Sequence, residues 1–474
     1  MVFSSNIFLL YFLPIFLLVY FLTPRRVRNY ILLLFSIVFY AYGSPDFVLI
    51  LLVTTIINFF LVRWMDKQPD KSISKKIICG ISVAISLGLL LYFKYANFFM
   101  DNLNAILGFI NRPKIPWMKV ALPIGISFFS FQSITYTVDT YRKVNKPMKK
   151  LSDYVVYIIM FPQLIAGPII RYCDIADQIR DRRAFFEERM YGFYRFVLGL
   201  SKKVLIADII GQQVDIVLAK DIAMLDSYTA WITILAYTFQ LYFDFAGYSD
   251  MAIGLGRILG FKFPENFDNP YVSQSISEFW RRWHQTFSVF MKHYLYFPLG
   301  GSRVKTKRRH LFNLWFVFLV SGLWHGASWN FVVYGAIQGF FIIMDKMFLV
   351  KFMNKLGKIP SVICTFIVIV LARVFFRIED ISLAWTFMKR LFAFEFAPVT
   401  WAGNEQYFTT ILIAAFFSFI TLFKFGLKLQ NKVYFSKLKV SEHILFWICS
   451  IALFIFCLAS LNATGFSPFI YFRF

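Results

Sequence analysis

Charged side chains are scarce in this chain of 474 residues, where Asp, Glu, Lys and Arg together make up 16%. Ordinary soluble domains contain about 25%. Hydrophobic residues reach 59%, and Phe alone occurs 61 times. A soluble globule could not bury so much apolar surface, and a disordered chain would not carry it. The composition therefore predicts an all-α polytopic membrane protein, because long apolar runs cross a bilayer as helices.

Acidic residues and cysteines are also few. The 26 acidic residues face 50 basic ones, a net charge of +24, and there are five Cys. We expect no nucleic-acid partner, because Lys and Arg collect in short loops between apolar runs, where they set membrane topology. Four Cys lie inside apolar runs, and Cys173 lacks a partner at metal-ligand spacing. Neither disulfides nor a metal site is expected.

Thirteen apolar segments are candidate spans. Several are shorter than the roughly 20 residues that a bilayer requires. We therefore expect about 11 or 12 transmembrane helices plus re-entrant and interfacial helices. The first segment lacks a basic start and a cleavage site, which favours a span over a signal peptide. The segments are 1–22, 29–43, 47–62, 77–93, 120–138, 154–170, 192–210, 228–247, 311–323, 331–350, 361–376, 408–423 and 444–461.

The basic loops predict the orientation. Basic stretches are expected on the cytoplasmic side, which leaves the N-terminus and the tail 462–474 on the outer side of the membrane and requires an even number of crossings. Membrane lipids are the expected surroundings. The basic stretches are 25–28, 63–76, 142–150, 303–309, 346–358 and 424–439.

One segment, 271–301, combines polarity with aromatic periodicity. Ser275 and Glu278 have the spacing of a capping box, which predicts a helix start at Ser275. Apolar residues then recur at helical spacing from Trp280 to Met291, and His284 lies on that apolar face. The helix is too polar to span and suits either the membrane interface or the wall of a funnel. His284 is either a buried, hydrogen-bonded core residue or part of a site.

A second histidine follows the apolar run 311–323. His325 stands in SGLWHG, where Ser321, Gly322 and Gly326 permit close backbone approach. An ionisable residue at membrane depth is costly and marks a functional site. Its neutral imidazole can act as a base. The alternative is a histidine that only bonds two helices together.

Two further segments place polar residues inside apolar runs. Gln240 and Asp244 share a helical face in 228–247, where Asp244 either pairs with a buried Arg or His or lines a polar path. Gly167 and Pro168 interrupt the run 154–170 just before Arg171. Broken helices at membrane depth line cavities, so Arg171 either meets a phosphate or carboxylate or is an interface anchor.

Taken together, these segments resemble the membrane-bound O-acyltransferase family. The motifs that carry the resemblance are FPQLIAGPIIRY, YTFQLYFDFAGYSDMAIGLG, EFWRRWH, YLYFPLGG and SGLWHG. They look like its bacterial branch that exports acetyl groups for alginate and peptidoglycan O-acetylation. The likeness covers residues 1–474 as a single membrane domain, with the motifs at about 120–350. It implies a funnel-shaped helical fold with a cytoplasmic acyl donor and a periplasmic acceptor.

The resemblance also implies the activity. The family's two histidines correspond to His325, as the base, and His284, which assists. Acetyl-CoA would be the acyl donor, with no resident cofactor, and a periplasmic SGNH-type esterase would receive the acetyl group. Trp280, Trp324, Arg171, Asp244 and Gln240 are candidate substrate-binding residues. Lys292 and His293 stand where relatives often carry an acidic residue, so no role for that residue can be carried over.

Two alternatives from other classes remain open at this point. A transmembrane transporter of acyl groups or lipid, without chemistry of its own, would show the same broken helices and intramembrane carboxylates. A scaffold for an export complex is disfavoured by the intramembrane His325. Abundant Lys, Ile and Phe suggest an AT-rich genome, which favours a peptidoglycan acceptor over alginate.

The C-terminal tail contains one candidate nucleophile. Tyr471 lies in FSPFIYFRF, a tail expected outside the inner membrane. The aromatic residues either anchor the chain end at the outer interface or carry Tyr471 to the site as a covalent acetyl relay. The phenol is the better relay than the hydroxyl of Ser467, because an aryl ester is more activated than an alkyl ester.

Overall fold

The computed structural model describes residues 1–183, 185–396 and 403–464, and these ranges contain helices and connecting loops without a β-strand. The predicted all-α class is confirmed. The chain divides into two compact units. One comprises Met1–Gly192 and Leu255–Pro264, and the other comprises Phe193–Gly254 and Glu265–Phe474.

The first unit is built from the N-terminal helices. A π-helical turn, Phe8–Phe12, leads into the first of them. The helices are α1 (Leu13–Leu22), α2 (Arg28–Gly43), α3 (Val48–Asp66), α4 (Ile73–Phe109), α5 (Ile126–Tyr141), α6 (Leu151–Ile159), α7 (Phe161–Leu164) and α8 (Tyr172–Arg180).

The remaining helices belong mainly to the second unit, although α9 and α11 contribute residues to both. They are α9 (Phe186–Ser201), α10 (Asp208–Leu218), α11 (Ser227–Leu259), α12 (Ile276–Arg282), α13 (Gln285–Met291), α14 (Lys307–His325), α15 (Trp329–Met344), α16 (Val350–Leu356), α17 (Lys358–Arg377), α18 (Ile381–Leu391), α19 (Glu405–Phe419), α20 (Lys424–Tyr434) and α21 (Val440–Thr464).

Six helices within the described residues are long and apolar enough to cross a membrane. A shorter apolar helical stretch, Phe8–Leu22, precedes them. These helices confirm a multi-pass membrane protein, and the expected 11 or 12 crossings stay a prediction. The six are Pro45–Asp66, Ile73–Phe109, Trp329–Leu356, Lys358–Arg377, Glu405–Leu422 and Val440–Ala463.

Polar side chains join helices inside the first unit. The Asn58 amide of α3 donates to Ser86 Oγ of α4 at 3.1 Å and accepts from Ser82 Oγ at 3.0 Å. Ser82 also bonds to Thr137 of α5 at 2.8 Å. In a membrane, where apolar burial does not drive helix association, such bonds hold helices together.

The interruption at Gly167 and Pro168 is also present. Helix α6 ends at Ile159, α7 adds one short turn, and residues 165–171 are non-helical before α8 begins at Tyr172. The predicted break is therefore confirmed.

Helices α14 and α15 form a closely packed pair in the second unit. A Cβ at Gly322 would come within 2.3 Å of the Phe331 carbonyl oxygen and 2.7 Å of Gly335 Cα. Only glycine at both positions allows this approach, which places the end of α14 against the start of α15. The close backbone approach predicted beside His325 is confirmed.

Candidate active site

The predicted helix through His284 is correct at its start and wrong in its length. Ser275 Oγ accepts from the Glu278 amide at 3.1 Å, which is the expected cap. The helix ends at Arg282, and His284 adopts φ 43° and ψ 55° before α13 begins at Gln285. A left-handed non-glycine residue costs about 1–3 kcal/mol and persists only where its surroundings hold it. The continuous apolar face from Trp280 to Met291 is thus interrupted at the histidine.

Asn266 holds this strained residue. Its side-chain Oδ1 lies 2.9 Å from His284 Nδ1 and accepts from Thr286 Oγ1 at 2.9 Å, while its Nδ2 donates to Ser249 Oγ at 2.9 Å. Its backbone carbonyl accepts from the Gln285 amide. Because the Asn266 amide points its oxygen at the ring, His284 donates from Nδ1. Nε2 is then the unprotonated nitrogen, which can accept a hydrogen bond.

His284 is completely buried among aromatic rings. Its centroid lies 4.7 Å from Phe245 and 5.1 Å from Phe287. Burial lowers the pKa of His284 to about 3. The imidazole therefore stays neutral at physiological pH, and its Nε2 makes no hydrogen bond within the described residues.

His325 ends α14 and is also buried, with 2% of its surface exposed. Its ring contacts Phe376 of α17 at 5.1 Å and Tyr334 of α15 at 6.0 Å between centroids. Three helices therefore position this side chain. The bulk around it excludes water from a candidate base.

One stacked aromatic pair joins the two histidines. Phe287 and Trp324 stack with centroids 4.3 Å apart. His284 lies 5.1 Å from Phe287 and 6.0 Å from Trp324, while His325 lies 5.9 Å and 4.9 Å from the same rings. The structure thus brings His284 into contact with the same rings as His325, which lies 41 positions further along the chain beside Trp324. No local pattern in the sequence predicts this arrangement.

Arg373 is a residue that the sequence reasoning missed. It lies on α17 and is 1% exposed. Its Nη1 donates to Tyr334 Oη at 3.0 Å, and its guanidinium lies 4.5 Å from the Trp283 ring. Since Tyr334 also contacts His325, one side chain separates the cation from the candidate base. The signal was present, because a charged residue inside an apolar run of a span marks a site.

Trp280 has a structural contact. Its Nε1 donates to Gln338 Oε1 at 2.9 Å, and its ring lies 5.2 Å from Phe318. The hydrogen bond joins α12 to α15, and the ring contact packs α12 against α14. A substrate-binding role for Trp280 stays a prediction.

Asp244 forms an ion pair, but its partner is a lysine rather than the predicted Arg or His. Lys203 Nζ lies 2.9 Å from Asp244 and 2.5 Å from Asp208, and all three side chains are buried. Gln240, on the same helix, packs against Gly211, where a Cβ would come within 2.4 Å of Nε2. These contacts favour the ion-pair alternative for Asp244. Binding of substrate by Asp244 or Gln240 stays a prediction.

The remaining predicted site residues are Arg171 and Tyr471. Arg171, in the first unit, pairs with Asp174 of α8 at 2.7 Å, and both side chains are partly exposed. Its proposed contact with a ligand stays a prediction. Tyr471 and the rest of 465–474 lie outside the described residues.

The residues that form this geometry lie in a sequence that matches a known family. The family described as "MBOAT, membrane-bound O-acyltransferase family" matches residues 39–378. The chain therefore belongs to the membrane-bound O-acyltransferase family, and it is an O-acyltransferase. Both histidines, Asn266 and Arg373 lie within the matched residues. Family membership decides against a transporter without chemistry.

Three named relatives show which members of the family the chain is similar to. The chain is 41% identical to a probable alginate O-acetylase of Azotobacter vinelandii over 396 residues, which cover 83% of this chain and 78% of the relative. It is 36% identical to a probable alginate O-acetylase of Pseudomonas putida over the whole of both chains. It is 35% identical to a peptidoglycan O-acetyltransferase of Helicobacter pylori, covering 82% of this chain and 79% of the relative.

Proposed function

We propose that this protein transfers acetyl groups from cytoplasmic acetyl-CoA across the inner membrane for O-acetylation of a cell-wall or exported polysaccharide. The observation that carries the proposal is the pair of buried histidines, His325 and His284, around one aromatic stack. Relatives named as alginate and peptidoglycan O-acetylases support an acetyl group as the cargo.

The chemistry requires one base. An acceptor hydroxyl attacks the thioester carbonyl, a C–O bond forms, and the C–S bond breaks. His325 takes the hydroxyl proton and returns it to the leaving thiolate, whose conjugate acid has a pKa of about 8.5. Backbone donors stabilise the oxyanion. The single proton of the reacting hydroxyl goes to His325, so His284 has a positioning role: its unprotonated Nε2 accepts a hydrogen bond from another N–H or O–H group of the bound substrates.

The acceptor side of the proposal rests on composition and resemblance. We favour peptidoglycan over alginate as the final acceptor, with a periplasmic SGNH-type esterase as the partner that receives the acetyl group. Both chain termini would then face the periplasm, and the basic loops the cytoplasm. Arg171 and, independently of it, the stretch 303–309 are candidates for contacts with the CoA phosphates.

Release of free CoA tests the proposal directly. Purified protein in detergent, supplied with acetyl-CoA and a hydroxyl acceptor, should cleave the thioester. His325→Ala should lower the rate at least about 100-fold, the lower range for loss of a positioned base. His310→Ala is the matched control, because His310 lies in the first turn of the same helix, far along it from His325, and should leave the rate unchanged. Undiminished CoA release by folded His325→Ala would refute the assignment.

A further inference from the structure

A strongly basic cavity lies within the first unit, among residues that the proposed chemistry does not use. Its volume is about 440 Å³. Eight Lys and Arg side chains and two Asp line it, which leaves an excess of six positive charges. Six of the cations are Arg25, Arg28, Lys149, Arg180, Arg182 and Arg189. We call this the basic cavity.

Two of its guanidinium groups are held in place by uncharged oxygens. Arg28 donates from Nε and Nη2 to two backbone carbonyls of the preceding turn at 3.1 and 3.2 Å. Arg182 donates to the Leu259 carbonyl at 3.2 Å and to Tyr20 Oη at 2.9 Å. These bonds orient the guanidinium groups without neutralising them, so both retain a full charge toward the cavity.

Like charges also crowd one wall. Burial, and then the positive charges of Arg28 and Arg25, lower the pKa of Arg189. The wall therefore costs electrostatic energy when the cavity holds only water. An anion placed among these cations would offset that cost, since it interacts favourably with every one of them.

We propose that the basic cavity binds a phosphate group of a small ligand. Guanidinium forks match the paired oxygens of a phosphate, and several of them suit a phosphate better than a single carboxylate. The stretches 25–28 and 142–150 are predicted to be cytoplasmic, where the phosphate belongs either to an anionic phospholipid headgroup or to a soluble nucleotide. The inference does not depend on the identity of the acyl donor.

Two probes separate the sources of the phosphate. Adenosine 3′,5′-bisphosphate, titrated calorimetrically into full-length protein in detergent, represents a soluble nucleotide. Nanodiscs of phosphatidylglycerol, compared with phosphatidylcholine, represent the headgroup, with the retained lipid counted by native mass spectrometry.

The test variant and the control variant each remove two positive charges. Arg25→Gln with Arg28→Gln removes two cations from the cavity, and Lys424→Gln with Lys428→Gln removes two exposed cations from another basic stretch, 424–439. We expect the first pair to weaken binding of one probe at least about tenfold, the effect of losing a charged hydrogen bond, and the second pair to bind like the wild type. If the first pair does not fold, Arg25→Gln with Lys149→Gln replaces it, because both side chains are exposed.

Each outcome is decisive. Loss of the bisphosphate alone assigns a soluble nucleotide, and loss of phosphatidylglycerol alone assigns a lipid headgroup. Equal effects of both variant pairs, or no effect of the cavity pair on either probe, would overturn the proposal.

Discussion

Asn266→Leu is the most informative single perturbation of the candidate site. Leucine has a similar shape, but it removes the oxygen that accepts from His284 Nδ1 and Thr286 Oγ1, and the amide that donates to Ser249. The buried Nδ1–H then lacks its acceptor, the ring is no longer restricted to one tautomer, and the left-handed backbone at His284 loses part of its support. Asn266 is thus a positioning residue that acts through the histidine.

The magnitude follows from the bonds lost. A buried hydrogen bond contributes about 1 kcal/mol net, and an orphaned partner costs about 1–3 kcal/mol. We therefore expect kcat for CoA release to fall about 10- to 100-fold, which equals about 1.4–2.7 kcal/mol. The assay is thioester cleavage by purified protein, with thermal unfolding as the check on folding.

Asn266→Asp distinguishes positioning from packing. The carboxylate still accepts from Nδ1, so most of the activity should return. Its negative charge also favours the imidazolium, which raises the pKa of His284 and moves the acid limb of the pH profile to higher pH. If folded Asn266→Leu has the wild-type kcat, the role assigned to His284 and Asn266 is wrong.

Four further predictions concern other parts of the molecule. Arg373→Met should lower CoA release about tenfold or more by removing a charged hydrogen bond to Tyr334, whereas Arg373→Lys should recover part of it. In the folded protein His284 binds no proton until about pH 3, whereas in the unfolded chain it binds one below about pH 6.5. The free energy of unfolding should therefore fall by about 2 kcal/mol from pH 6.5 to pH 5. The unfolding temperature of His284→Gln should depend less on pH than that of the wild type. Gly322→Ala should destabilise by about 1–3 kcal/mol through backbone overpacking, whereas Gly80→Ala, where a Cβ meets nothing within 4 Å, should not. Tyr471→Phe should abolish glycan acetylation if Tyr471 is the relay, and mass spectrometry should then find an acetyl group on Tyr471 of the wild-type tail. Normal glycan acetylation by Tyr471→Phe would refute the relay and favour the role of the tail as an interface anchor.

Local signals in the sequence predicted several features correctly. The capping box at Ser275, the break at Gly167 and Pro168 and the glycine beside His325 each depend on residues close together in the chain. Periodicity failed at His284, because a repeat of apolar residues continues unchanged through a residue whose backbone leaves the helix. The break is held by hydrogen bonds to Asn266, which lies 18 positions away and belongs to no periodic pattern.

The sequence by itself determined the class of this protein. Its long apolar runs are stable as membrane helices. A histidine at the end of such a run predicts a functional site, because burying an ionisable group in a membrane is costly. Only the tertiary structure decided which side chains share that site. Trp324 and Phe287 stack because α14 and α13 are packed together, Lys203 rather than an arginine or histidine meets Asp244, and Arg373 reaches Tyr334 from another helix. These contacts depend on how helices pack, and helix packing is set by side chains distant in the chain.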